Sequence, residues 1–219
     1  MSIEIKALTL GIAATNCYIV ADTDTKNALV IDPVDEADLI KQTADESGWT
    51  IKLILATHGH FDHVLASKAL KAATAAPFYI HHKGTDWLDN LPQQGMMFTG
   101  KPFPEAATPD RLLTDDPETI TLDAIKLETI FTPGHSPDHL VFYMREHKLL
   151  FGGDCVFMGS IGRTDLPGSD YETLMQSITQ KILPLGDDTQ ILPGHMGTTT
   201  IEHERKTNPF ITDYLRGNQ

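Results

Sequence analysis

Cysteine is nearly missing from this chain. Two residues in 219, Cys17 and Cys155, are too few for a disulfide framework, and both stand in apolar, strand-like surroundings that suggest buried thiols. Basic residues are scarce too: 17 Lys and Arg stand against 30 Asp and Glu, a formal charge of −13, with no cationic run longer than Arg205-Lys206. Such a mean field repels phosphate backbones and anionic bilayers, so neither nucleic acid nor a membrane surface is an expected partner. No apolar run approaches the roughly 20 residues that span a bilayer. The opening Met1-Ser2-Ile3-Glu4-Ile5-Lys6 alternates polar and apolar residues where a secretory signal has an unbroken apolar stretch. It reads as a strand, and the expected location is the cytoplasm.

What is present is a 41% hydrophobic chain, enough for one sizeable core, and a single domain over 1–219 is expected. Short apolar, β-branched runs predict strands at Ile3–Leu10, Cys17–Val20, Ala28–Ile31, Ile51–Ala56 and Phe78–Ile80, then at Ile120–Leu122, Ile125–Phe131, Leu140–Met144, Leu149–Phe151 and Thr189–Leu192. Helices are predicted over Asp35–Ser47, capped by Asp35, and over Phe61–Ala75, with apolar Val64, Leu65, Ala69 and Leu70. Ser169 with Glu172 and Thr199 with Glu202 have capping-box spacing, opening helices from Asp170 and Thr200. Between Lys83 and Pro117, glycine and proline break every period, which predicts a long loop. Its Trp87, Met96, Met97, Phe98 and Phe103 either wall an apolar pocket or anchor the loop to the core. The mixture of elements is α+β, with sheets packed on one another and helices outside.

Four of the strands run into potential metal ligands. Ile51–Ala56 leads to Thr57-His58-Gly59-His60-Phe61-Asp62-His63, Ile125–Phe131 to Thr132-Pro133-Gly134-His135, Leu149–Phe151 to Gly152-Gly153-Asp154, and Thr189–Leu192 to Pro193-Gly194-His195. In an extended segment His58 and His60, two apart, project to one side and can grip one ion; Asp62 and His63 are displaced enough to serve a second, and Asp154 can bridge. Neutral imidazole and carboxylate without cysteine point to zinc, with iron or manganese as alternatives. Two divalent ions are expected. His81, His82, His139, His147 and His203, taken singly, read as ordinary hydrogen-bonded histidines. Four polar groups crowded at the mouth of an apolar strand are costly unless something compensates them.

These pieces, in this order, resemble the metallo-β-lactamase superfamily, and the similarity runs from Asn16-Cys17-Tyr18 to the final Pro-Gly-His. The resemblance implies a four-layer αβ/βα sandwich. It also implies His58, His60 and His135 on one metal, Asp62, His63 and His195 on the other, and Asp154 between them.

Two such ions, typically about 3.5–4 Å apart, lower the pKa of a shared water and polarise an ester-like carbonyl, so hydroxide attacks. Asp62 is expected to orient this nucleophile. A thiolate leaves without a separate general acid, which suits a thioester. Within the superfamily the chain is similar to the short, glyoxalase II-like (hydroxyacylglutathione hydrolase-like) members. Gly159-Ser160-Ile161-Gly162-Arg163-Thr164 stands where glyoxalase II has a turn whose basic residue contacts glutathione, so Arg163 either clamps a substrate carboxylate or pairs with Asp165 or Asp170. Asp165 and Gly197 replace tyrosines that bind glutathione in that branch. The expected partner is a small-molecule thioester such as S-lactoylglutathione, met by a monomer or small homo-oligomer. Persulfide dioxygenases share the H-x-H-x-D-H run and a Gly162-Arg163-Thr164-Asp165-like stretch; that alternative implies a single iron on His58, His135 and Asp154.

Overall fold

The computed structural model describes residues 2–217, which divide into two compact units: residues 2–114 with Ile120–Lys126, and Asp115–Thr119 with residues 127–217. The alternation at the N-terminus makes β1 (Ile3–Leu10), an antiparallel neighbour of β2 (Thr15–Asp22) in the register Ile3 to Asp22. β2 pairs antiparallel with β3 (Asn27–Ile31). From there the first sheet continues in parallel through β4 (Thr50–Leu55), β5 (Phe78–His81) and β6 (Arg111–Leu113), in the order β1-β2-β3-β4-β5-β6. Parallel neighbours need crossovers, and helices supply them. α1 (Ala37–Glu46) joins β3 to β4, and α2 (Phe61–Val64) and α3 (Ser67–Thr74) join β4 to β5. Ile40, Ala44 and Leu70 from these helices share a buried cluster with Ile19, Val30, Ile54 and Ile80 of the sheet. Because the central strands are covered, they read as continuous apolar runs, and β2 is buried along its whole length.

Several predicted boundaries shift for local reasons. α1 does not start at Asp35, whose Oδ1 instead accepts from the Glu36 N–H; Glu36 is the N-cap, in a left-handed conformation with φ 52°. The single helix expected over Phe61–Ala75 is two, because the Ala66 N–H turns to the carbonyl of Pro33. The expected loop at 83–117 contains α4 (Thr85–Asp89), α5 (Leu91–Thr99) and β6. Pro92 lies in the first turn of α5, where its missing N–H costs nothing. Gly95 is needed there, since a Cβ would run into the Phe103 backbone. Residues that look like breakers are thus a helix start and a packing contact.

The second sheet has the order β14-β13-β10-β9-β8-β7. Its members are β7 (Thr119–Leu122), β8 (Ile125–Phe131), β9 (Leu140–Met144), β10 (Leu149–Gly153), β13 (Gln190–Pro193) and β14 (Thr199–Thr200), and a small hairpin pairs β11 (Val156–Phe157) with β12 (Ser160–Ile161). β10 and β13 are parallel, joined through α6 (Tyr171–Ser177) and a π turn at Ile178–Ile182. α7 (Ile201–Thr207) and α8 (Pro209–Gly217) follow β14. Leu174, Ile178, Ile201 and Ile211 of the helices cluster with Val141, Leu150 and Ile191 of the strands. The caps sit one residue later than the spacing predicts: Asp170 accepts from the Thr173 N–H and Thr200 from the His203 N–H, while the Ser169 hydroxyl bonds to the Leu166 carbonyl. Cys17 and Cys155 are fully buried, as expected, and desolvation raises both thiols far above their ordinary range. No described helix is long and apolar enough to cross a membrane.

Candidate metal centre

Four of the predicted ligands fall in the first unit and three in the second. In the first, β4 delivers the chain to Ala56 and Thr57, after which His58, Gly59 and His60 run extended into α2; His60 is the N-cap, with φ −64° and ψ 146°. His58, His60 and His63 are buried, and the Asp62 side chain is 14% exposed. His58 Nε2 lies 3.0 Å from His60 Nδ1, and His63 Nε2 lies 3.7 Å from Asp62 Oδ2. Two donors about 2.0–2.1 Å from one tetrahedral ion stand roughly 3.3 Å apart, so both separations suit ligands sharing an ion.

Asp32, which follows β3 directly and has φ 56°, orients two of these imidazoles. Its Oδ1 accepts from the Thr57 N–H at 2.7 Å, and its Oδ2 accepts from the Thr57 hydroxyl at 2.9 Å. Oδ2 also lies 2.9 Å from His63 Nδ1. A carboxylate only accepts, so Nδ1 of His63 carries the proton and Nε2 keeps the lone pair that could face a metal. Thr57, having donated its hydroxyl proton to Asp32, accepts from His58 Nδ1 at 3.1 Å, which aims Nε2 of His58 in the same way. Asp62 is held by the Thr15 hydroxyl, which donates to Oδ2 at 2.9 Å.

In the second unit, β10 and β13 carry Asp154 and His195 from adjacent parallel strand ends, tied by the Gly194 N–H to the Gly153 carbonyl at 2.7 Å. Asp154 Oδ2 is 3.5 Å from His135 Nε2 and 3.4 Å from His195 Nε2, again the spacing of ligands on one ion. Nδ1 of His135 donates to the Arg163 carbonyl at 2.8 Å, leaving Nε2 as donor to a metal. Gly162 is required beside it, because a Cβ there would overlap the Asp154 carbonyl oxygen. The Asp154 N–H donates to His139 Nε2 at 2.9 Å, which places the His139 proton on Nδ1, 2.9 Å from the Thr132 hydroxyl. The Phe157 and His195 rings meet nearly at right angles, 82° between planes and 5.7 Å between centroids.

The donor set fits divalent metals in both units: imidazoles oriented through Nδ1 by carboxylate, hydroxyl or carbonyl partners, and carboxylates at ligand spacing. Arg163 forks onto Asp165, Nε to Oδ1 at 2.7 Å and Nη2 to Oδ2 at 2.9 Å, the pairing that was the alternative to a substrate contact. That fork raises the guanidinium and holds the Asp165 carboxyl below its usual range. Sequence reasoning singled out neither Asp32 nor Thr57. The signal was a polar Asp32 ending the apolar β3, the parallel neighbour of the ligand-bearing β4. His139, expected to be an ordinary hydrogen-bonded histidine, accepts from the N–H of the candidate ligand Asp154.

Residues 10–195 match the family model described as Metallo-beta-lactamase superfamily. Hydroxyacylglutathione hydrolase GloC of Haemophilus influenzae is 42% identical over 96% of this chain and 98% of its own. Among solved structures, BLEG-1 B3 metallo-beta-lactamase aligns with TM-score 0.90 at 38% identity, over 95% of this chain and 100% of that one. TTHA1623 in a di-iron-bound form aligns with TM-score 0.84 at 34% identity, over 94% and 99%.

Proposed function

The chain belongs to the metallo-β-lactamase superfamily, has its fold and is a metallo-hydrolase, and from that premise we propose that it cleaves a small-molecule thioester such as S-lactoylglutathione with two divalent ions. The observation that carries the thioester reading is the 42% identity to a protein named as a hydroxyacylglutathione hydrolase, which extends over nearly the full length of both chains. The ligand assignment follows the family resemblance: His58, His60 and His135 for one ion, Asp62, His63 and His195 for the other, and Asp154 for both.

Metals bound there supply an activated water at neutral pH and polarise the scissile carbonyl. The protein's own contribution is orientation. Asp32 and Thr57 keep His58 and His63 in the tautomer that presents Nε2, and the Thr15 hydroxyl steadies Asp62 so that its carboxylate aligns the attacking water. In a thioester the departing sulfur is stable as thiolate, and no protonating residue is required. Arg163, 57% exposed at its side chain, exchanges Asp165 for a substrate carboxylate in this reading, since the same two-pronged geometry serves either partner. Zinc is the expected metal, with iron as the alternative that the di-iron form of TTHA1623 supports. We take residues 1–219 as one domain acting in the cytoplasm as a monomer or small homo-oligomer.

The test is elemental analysis of the purified protein paired with hydrolysis of S-lactoylglutathione, benzylpenicillin and glutathione persulfide. About two metals per chain with preferential thioester turnover is the expected result. A single iron with oxygen uptake on the persulfide and no thioester cleavage would replace the hydrolase with the dioxygenase. Faster opening of the penicillin would make the protein a lactamase like its named neighbour.

A further inference from the structure

Three ligand imidazoles are aimed by hydrogen bonds through Nδ1: His58 by Thr57, His63 by Asp32 and His135 by the Arg163 carbonyl. His60 differs, because Nδ1 is the nitrogen it turns toward His58 Nε2. Its ring meets the indole of Trp87 nearly at right angles, 89° between planes and 4.8 Å between centroids. Gly59, between the two histidines, leaves the space for that contact: a Cβ there would come within 2.7 Å of Trp87 Cβ and 3.1 Å of the Gly84 carbonyl oxygen.

Trp87 is itself held. Gln94 of α5, only 7% exposed, donates from Nε2 to the Trp87 carbonyl at 2.9 Å and accepts at Oε1 from the Phe61 N–H at 3.2 Å. Phe61 follows His60 directly and begins the helix that carries Asp62 and His63. One buried amide therefore joins the residue that packs on His60 to the backbone N–H next to His60. Phe61 in turn lies 5.0 Å from Phe98 and 5.1 Å from Phe103, ring centroid to ring centroid, so the same segment has aromatic packing as well.

We propose that Trp87 and Gln94 are positioning residues for the metal ligand His60, with the indole fixing the ring plane and the Gln94 amide fixing the distance between α4 and the ligand turn. The proposal rests on His60 binding metal, as the proposed function requires. Loss of an outer-shell partner typically weakens metal binding about tenfold to a hundredfold.

Trp49 is the only other tryptophan, so Trp49→Phe leaves Trp87 as the sole indole. In that variant, a zinc or cobalt titration of metal-free protein is expected to change Trp87 emission saturably. With binding measured against a chromophoric chelator, Trp87→Ala and Gln94→Met are expected to weaken one of two ions about tenfold or more. Trp87→Phe, which keeps an aromatic face against His60, is expected to stay within about threefold of the parent. Loss of folding reads separately, as lost helicity of the metal-free protein, and the Trp87→Phe comparison then decides. Unchanged affinity in Trp87→Ala and Gln94→Met, with two ions still bound, overturns the proposal alone. A parent protein that binds no metal overturns it together with the proposed function.

Discussion

At the scale of single residues, the candidate ligands stand out in the sequence and the residues that hydrogen-bond to them do not. An imidazole or carboxylate beside a glycine at a strand end stands out in a sequence, but Asp32 works on His63 across 31 positions and has no local signature. Its role yields a sharp expectation. Asp32→Asn places an amide N–H against His63 Nδ1 or the Thr57 N–H, donor against donor, and metal affinity should fall about tenfold or more in a chelator competition. Gly162 gives a second. An added methyl group overlaps the Asp154 carbonyl and approaches His135 Cβ at 3.1 Å. Gly162→Ala should destabilise the protein by about 1–3 kcal/mol in urea titrations and lower its metal content, since the displaced backbone carries the candidate ligand Asp154.

At the scale of elements, strands with a plain pattern are legible, whether alternating as in Ile3–Leu10 and Ile125–Phe131 or continuously apolar as in Leu140–Met144, and these three come out residue for residue. Residues 85–99 were misread because proline and glycine serve there as a first-turn residue and a contact point, and neither use has a periodic signal. The caps were displaced by one because serine and aspartate at 169 and 170 compete for the same role, and Asp170 reaches the Thr173 N–H at 2.8 Å. The Thr173 hydroxyl and N–H hold the Asp170 carboxyl below its usual range, the hydroxyl contributing more. A lowered carboxylate pKa gives stability that is complete above the ordinary carboxylate range and is lost as pH falls through the folded-state value. Melting temperature as a function of pH should therefore show wild type above Asp170→Ala at neutral pH, with the two converging in acid. Thr200→Ala, removing the equivalent cap from α7, should cost about 1 kcal/mol without that pH dependence.

For the whole molecule, the charge of −13 and the absence of a cationic run argue against a nucleic-acid partner, because long-range repulsion depends only on composition. Domain count lies beyond composition. The chain has two compact units, and we expect them to unfold together. Calorimetry of the metal-loaded protein should show one transition, shifted downward by chelator. A single ion at a hundred times its dissociation constant adds about 2.7 kcal/mol of stability. Two separate transitions would show two domains.

The parallel pairing of β10 with β13 also has a consequence in time. Asp154 and His195 become neighbours only when the intervening chain, α6 and the π turn included, has crossed back over the sheet and the Gly194 N–H has found the Gly153 carbonyl. Contacts of such sequence separation form late, because the loop must be closed before the pairing rewards it. During refolding, this half of the centre is thus assembled after the local hairpins around it, and a chain still being synthesised holds Asp154 for 41 further residues before its partner exists at all.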